Sequence, residues 1–400
     1  MRKLTDLLYG RGVTKFETNE SFQLLIQCWS LIGVKSLKPY RFGRLLHMCF
    51  CWFLLLLCPL TFFMGYVHTL TTEPITIQLS LLQTAANVIG VPLKTISVAI
   101  LRTHLRKVEP IFDNLDERYQ SVAGREQIKD CVMTSSRIFA SVGFMFHFYG
   151  STTYLQALLT NSYPLSTWLP FIDSISQPTI RYWTHYIFEV FHIVFILTVQ
   201  TAMDLFPAVY IRTLRTHFNL LTERVSHLGE NPEFTDEDNF DELVDCIVTH
   251  QELLEAKNIV SSVCSITLFV QFVIAAIALC ITLLNFFVFA DTVQRVVTLL
   301  YYFGVIMQIT PTCYQASMME VDSAKLPDAI FHCNWLAMNK RSRKLIIYFI
   351  HRAQEDITFV ALKLFNINLT TNLSIIKFGF SLYTFMNSMD FGQNLKELLE

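Results

Sequence analysis

Seven long apolar stretches dominate this 400-residue chain, near 45–69, 75–101, 131–159, 183–214, 259–290, 293–319 and 373–389. At about 1.5 Å per residue, ~20 helical residues cross roughly 30 Å of hydrocarbon, so each stretch reads as a membrane-spanning helix. The connections differ by side. On one side they are tight, as at Thr71-Thr72-Glu73-Pro74 and Asp291-Thr292, or proline-rich with almost no positive charge, as at 160–182. On the other they are long and charged. Ahead of the first span, Phe22, Leu25, Ile26, Trp29 and Ile32 recur at helical spacing with Glu20, Gln23 and Gln27 opposite. That pattern predicts an amphipathic helix, lying against the membrane or packed under the bundle. Residues 223–257 hold Glu230, Glu233, Asp236, Glu237, Asp238, Asp241, Glu242 and Asp245 and read as a solvated loop. The expected organisation is a cytoplasmic N-terminal helix region (1–44), six spanning helices (45–319), an amphipathic cytoplasmic anchor segment (320–368) and a last helix with a short extracellular tail (369–400).

Charge sets the orientation. Lys and Arg number eight in the N-terminal segment, six in 102–130, four in 212–257 and seven in 325–363, against Arg181, Arg295 and Lys396 on the other side. The positive-inside rule then predicts an all-α membrane protein with seven transmembrane helices, a cytoplasmic N-terminus and an extracellular C-terminus, opposite to a G-protein-coupled receptor. The sequons at Asn19, Asn368 and Asn372 fall where glycosylation does not reach and read as chance matches. MRKLTDLLYGRG lacks a signal peptide's apolar core, so the helices themselves are expected to direct insertion. The hydrophobic share of 52% with 16% charged residues and near-zero net charge excludes an ordinary soluble domain and gives no sign of nucleic-acid binding. Ten cysteines show no zinc or disulfide spacing and read as buried thiols.

The last quarter runs PTCYQASMMEVDSAKLPDAIFHCNW, the basic cluster Lys340-Arg341-Ser342-Arg343-Lys344, LIIYFIHRAQEDITFVALKLFNINLT and NLSIIKFGFSLYTFMNSM. This order resembles the C-terminal signature of insect odorant receptors. It matches at Ser323, Trp335, the Lys/Arg cluster, His351-Arg352-Ala353-Gln354, the NLT run and the final helix with Tyr383 and Phe385. The resemblance implies an odorant-binding subunit of a ligand-gated, non-selective cation channel, assembled with a conserved co-receptor as a heterotetramer in the plasma membrane of a sensory neuron dendrite. The chain lacks the Thr-Tyr…Gln-x-Phe ending associated with the co-receptor branch, having Ser388 where the glutamine falls, and so reads as the ligand-tuning subunit. A self-assembling gustatory-type channel is the nearest alternative, followed by a metabotropic receptor or a transporter.

Polar side chains on spanning helices must face protein or a cavity, because an ionised group at mid-bilayer costs at least ~2.5–3.5 kcal/mol. Leu79, Gln83 and Asn87 form such a stripe on the second helix. His147, Gly150 and Tyr154 share a face on the third, and Phe188, Phe191, His192 and Phe195 one on the fourth. Tyr301 and Tyr302 open the sixth. Together they outline a mostly apolar cavity in the outer half of the bundle, or else ordinary packing. The resemblance favours the cavity, with a small neutral aromatic or heterocyclic odorant as occupant. Lys94 is expected to snorkel to the cytoplasmic interface, and Asp204 and Arg212 to reach water near the inner face. Glu189-x-x-His192 has di-iron spacing without the companion motif that chemistry needs, so Glu189 is expected to pair with His185 or His192. No metal, cofactor or catalytic set is expected. On the last helix Ser381, Phe385, Ser388 and Met389 share a face, and the resemblance implies that this helix lines the pore. Leu336, Leu345, Ile346, Phe349, Ile350, Ile357 and Phe359 need a partner surface, within the chain or on another subunit.

Overall fold

The chain folds into thirteen α-helices and one small hairpin, as seen in a computed structural model that describes residues 4–10, 15–34, 42–70, 75–165, 167–290 and 292–389. In order the helices are α1 (Leu4–Tyr9), α2 (Gln23–Leu31), α3 (Phe42–Thr69), α4 (Ile75–Leu105), α5 (Val108–Arg118), α6 (Val122–Thr160) and α7 (Pro170–Asp173). There follow α8 (Pro178–Ser226), α9 (Asp236–Leu284), α10 (Thr292–Ser323), α11 (Lys325–His332), α12 (Lys340–Ala353) and α13 (Leu369–Ser388). Strands β1 (Val360–Ala361) and β2 (Phe365–Asn366) pair antiparallel just before α13. By length and composition α3, α4, α8, α9 and α10 are able to cross a membrane. The 39-residue α6 and the 20-residue α13 are also long enough but carry more polar residues. The predicted turns at 71–74 and Asp291, the cations Arg2, Lys3, Arg11, Lys35, Lys38, Arg41 and Lys396, and the tail beyond 389 lie outside the described residues.

Helix α8 is the hub, packed against α6, α9 and α10, while α4 and α13 pack on α9. One end of the bundle is closed by the 161–177 connection. The other, the anchor end, gathers α2, α5, α11, α12 and the overhangs of α8 to α10. Here the amphipathic N-terminal segment packs under the bundle. Phe22 stacks on Tyr210 at 4.1 Å and on Phe112 at 5.9 Å, and Leu25, Trp29 and Ile32 join the same core. Thr18 donates from its N–H (2.7 Å) and its hydroxyl (2.5 Å) to Asp116, and the hydroxyl oxygen lies 3.0 Å from His217 Nε2. Burial pushes the Asp116 carboxyl above the ordinary aspartate value, against the pull of those bonds.

Several expectations need correction. The 102–130 segment contains α5, and the third long helix begins at Val122, not near residue 131. The acidic run is mostly not a loop, because α9 starts at Asp236. Thr235 caps it, accepting from the Asp238 N–H, and the Asp238 carboxylate accepts from the Thr235 N–H in return. Three acids in the first turn complement the helix dipole. Farther along, Glu242 and Asp245 receive Arg224, and Glu252 and Asp245 receive Arg118, so these carboxylates tie α9 to α8 and α5. The connection before α9 is fixed by Gly229, whose φ of +76° suits glycine and where a Cβ would meet the Asn334 carbonyl oxygen at 2.8 Å. In the anchor segment, Ile346, Phe349, Ile357 and Phe359 are buried within the chain and Leu345 and Ile350 partly so, whereas Leu336 stays exposed. The ten cysteines are free and, apart from Cys28 and Cys49, buried.

The Thr18–Asp116–His217 node yields a stability test. Asp116→Ala strands the Thr18 N–H in the core, at about 1–3 kcal/mol. Fluorescence-detected size-exclusion of heated, detergent-purified protein should give a melting temperature several degrees lower. An unchanged melt would mean that the N-terminal segment is not held there.

Candidate ligand-binding site

In the half of the bundle away from the anchor end, α4 places Leu79, Gln83 and Asn87 inward and buried. Tyr301, on the first turns of α10, donates its hydroxyl to the Gln83 carbonyl at 2.9 Å. Gln200 on α8 donates to the Asn87 side-chain oxygen at 3.1 Å. Tyr149 of α6 closes the cluster, its ring 6.2 Å from that of Tyr301. Four helices thus converge on a small polar group inside an apolar bundle. The Gln83 side-chain oxygen and the Thr298 hydroxyl, one turn before Tyr301, are buried and have no hydrogen-bond partner.

The remaining predicted residues fall in several places. His147 sits on the α6–α8 seam, Nδ1 2.8 Å from the Gly143 carbonyl and Nε2 3.2 Å from the Thr198 hydroxyl. Gly150 lets the same two helices approach, since a Cβ would meet Leu197 at 2.6 Å and Ile193 at 3.0 Å. Tyr154 is half-buried, and its carbonyl accepts from the Tyr186 hydroxyl. Phe188 meets the buried His192 edge-to-face at 4.2 Å, and His192 Nε2 is another buried atom without a partner. Phe195 and Tyr302 pack partly buried against the core. Phe191 points away, 47% exposed. On α13, Ser381, Phe385, Ser388 and Met389 are all exposed. The opposite face meets α9, where Gly379 allows Leu279 to within 3.0 Å of its Cβ position.

Two expectations about charges are overturned. Lys94 does not snorkel. It is 1% exposed, with its ammonium 2.5 Å from both the Asp204 carboxylate and the Gln271 side-chain oxygen. Asp204 is buried with it and does not reach water. The snorkelling argument fails because Lys94 has an acid facing it across the helix interface, which α4 alone does not reveal. Arg212, as expected, lies near the exposed end, paired with Asp130 at 2.8 Å. Glu189 is fully buried and reads out the 161–169 connection. Its oxygens accept from the N–H groups of Leu165 and Thr167 (2.8 Å each) and the Thr167 hydroxyl (2.7 Å), with His185 Nε2 at 3.3 Å. The expected partner His185 is therefore present, but the loop takes most of the carboxylate.

Gln200, Tyr149, Gln271 and Gln308 were missed as members of this polar system. Their signal was visible: amides and acids on apolar helices at spacings such as Gln200–Asp204, each of which needs a partner.

A family profile described as 7tm Odorant receptor matches residues 75–380. The chain belongs to the insect odorant receptor family. Among related receptors, odorant receptor 43b of Drosophila melanogaster is 30% identical over 97% of this chain and 98% of its own length. Odorant receptor 42a of the same fly is 30% identical over 93% and 92%. The solved insect olfactory receptor OR5 of Machilis hrabei shares the fold, with a TM-score of 0.74 at 18% identity over 92% of this chain and 97% of that one. Its complex with eugenol superposes with a TM-score of 0.72 at 16% identity, over 93% and 99%. The receptor is thus an all-α, multi-pass membrane protein, and its relatives are receptors, not enzymes.

The Glu189 clamp makes a direct prediction. Glu189→Ala frees the Leu165 and Thr167 amides, so limited proteolysis should cut within 161–177 about tenfold faster while the bundle stays intact. Equal cleavage rates would remove Glu189 as the loop's anchor.

Proposed function

We propose that this receptor is the odorant-binding, tuning subunit of a ligand-gated, non-selective cation channel that assembles with a conserved co-receptor as a heterotetramer. The observation that carries the reading is the buried Gln83–Asn87–Gln200–Tyr301 cluster in one half of a bundle of membrane-length helices. Buried polar atoms without partners in the cluster and one turn from it, Gln83 Oε1 and Thr298 Oγ1, suit a small molecule carrying one or two polar groups, and His192 Nε2 on α8 is a further such atom. A solved chain of the same fold has been captured with eugenol, a small aromatic molecule. A neutral aromatic or heterocyclic odorant fits the mixture of Tyr, Phe and His offered here.

The topology belongs to the same proposal. Seven crossings, by α3, α4, α6, α8, α9, α10 and α13, leave the basic anchor end in the cytoplasm and the C-terminus outside, in the plasma membrane. The segment 320–368 acts as the cytoplasmic anchor. The last helix lines the pore. Its exposed face carries Thr370, Ser374, Lys377, Ser381, Thr384 and Ser388 in one stripe, flanked by exposed Leu373, Phe378, Phe380 and Phe385, an amphipathic surface that supports a pore-facing stripe. Odorant binding favours the open state through its differential affinity for the two states.

Whole-cell recording from cells expressing the chain, with and without an insect co-receptor and with G-protein signalling blocked, tests the reading. A fast odorant-evoked current is expected only with the co-receptor. Current from the chain alone would support the self-assembling alternative, and a response lost on G-protein block would sink the channel reading. Within a working receptor, His192→Ala should shift the half-maximal odorant concentration by about tenfold or more. Phe191→Ala, altering an outward-facing side chain, should stay within about twofold. Equal effects of the two would exclude the inner face of α8 from the pocket.

A further inference from the structure

A groove of about 530 Å³ opens where the end of α4 meets α9 and the last turn of α12. Its polar lining is His104, Gln251, Glu255, Asn258, Ser262 and Arg352. Arg352 is ion-paired with Glu355. Among the described residues, the side chains of His104, Gln251, Glu255 and Asn258 have no hydrogen-bond or ion-pair partner. The exposed stripes of the two long helices show at what depth this groove lies. On α9, exposed Glu255, Asn258 and Ser262 are followed at helical spacing by exposed Ile266, Val273 and Ile277. On α4, exposed Leu93, Ile96 and Ile100 give way to Thr103 and His104. Both changes fall at one level, because Ser262 and His104 line the same groove. Outward-facing side chains are apolar in hydrocarbon and polar among headgroups, so this level marks the edge of the bilayer. The groove is thus a polar recess directly beneath two apolar, lipid-facing stripes.

We propose that this groove holds the headgroup of an inner-leaflet phospholipid with a primary ammonium, phosphatidylethanolamine. The leaflet rests on the topology proposed above; the headgroup rests on the lining. The Arg352 guanidinium and the His104 ring offer N–H donors to a phosphate. Glu255, with the side-chain oxygens of Gln251 and Asn258, offers acceptors to an ammonium, which carries three N–H donors. The choline headgroup has no N–H to give and is recognised by aromatic cages. No aromatic ring stands among the described lining residues. A headgroup that is only anionic would leave Glu255 facing a like charge, while Arg352 is already shared with Glu355. The acyl chains follow the stripes that start at Ile100 and Ile266, contacts that a water-soluble zwitterion would not make. A lipid seated in this way ties the anchor helix α12 to two spanning helices.

The test uses the full chain, purified in detergent with its co-receptor. Phosphatidylethanolamine and phosphatidylcholine probes with the same diazirine-bearing acyl chain are photo-crosslinked to it, and labelled peptides of this chain are mapped by mass spectrometry. The ethanolamine probe should label 93–104 and 258–266 about tenfold more than the choline probe, the weight of one charge-assisted hydrogen bond. Unlabelled phosphatidylethanolamine should compete, and soluble glycerophosphoethanolamine at the same concentration should not. Glu255→Gln should lower the ethanolamine probe to the level of the choline probe. Glu255→Lys should move the preference to a phosphatidic acid probe, a gain that misfolding cannot imitate. Asp241→Asn, an exposed acid on α9 outside the groove, should leave the labelling unchanged. Equal labelling by the two probes, or labelling indifferent to Glu255, would overturn the site. Competition by the soluble headgroup would overturn the lipid as occupant. Labelling that appears only without the co-receptor would make this face a subunit contact and overturn the proposal too. The topology is read separately, from an N-terminal tag and a membrane-impermeant reagent on intact cells. A reactive tag would remove the inner-leaflet placement, whereas headgroup selectivity is decided by the crosslinks in detergent.

Discussion

Lys94 against Asp204 is the constraint on which the bundle's geometry turns. Each ion loses several kcal/mol of hydration on leaving water, so an unpartnered charge at this depth would not be tolerated. The match demands that α4, α8 and α9 meet at one register, because a slide of one residue moves a side chain by about 1.5 Å and turns it by ~100°. Apolar contacts between these helices are interchangeable by comparison. The pair, with Gln271 and Gln308, ties α4, α8, α9 and α10 together at one level of the bundle.

The two ends of the receptor are held differently. At the anchor end aromatic stacks and charge clusters dominate: Phe22 on Tyr210, His250 between Phe218 and Phe349, and Arg224 on Glu242 and Asp245. These are dense, many-partnered contacts in which no single loss frees a helix. At the opposite end Glu189 accepts from the connection between α6 and α8, where Tyr163 also packs on Tyr182 and His185, Trp168 stacks on His68, and Leu165 reaches the core.

Much of this was legible in the sequence and some was not, for identifiable reasons. The long helices follow from apolar length alone, and the inward stripe of Leu79, Gln83 and Asn87 follows from helical period with the cost of polar groups in hydrocarbon. The start of α9 was hidden because a run of acids reads as solvated unless Thr235 is recognised as a cap and the acids as its first turn. Lys94 was misread for a different reason. Its partner lies 110 positions along the chain, and although a charge in each apolar helix signals a need for a partner, neither helix says which partner it is. Phe191 falls at the edge of the face that Phe188, His192 and Phe195 share at helical spacing, and at such an edge position the period alone does not tell inward from outward; it is 47% exposed. Pairings across helices, unlike periodicities along them, are not written in any local window.

The lengths of α8 and α9 carry a mechanical consequence. At 49 residues each, they extend about 74 Å, more than twice the hydrocarbon thickness, and both reach from within the bundle into the anchor end. A stiff rod of that length magnifies small rotations: a tilt of about 5° pivoting at one end displaces the far end by ~6 Å. Pro207 sits on α8 just past Asp204 and lacks the N–H that would bind the preceding turn, which marks the weakest point for bending along the rod. A small rotation at one end of either helix therefore has a lever long enough to move protein at the other.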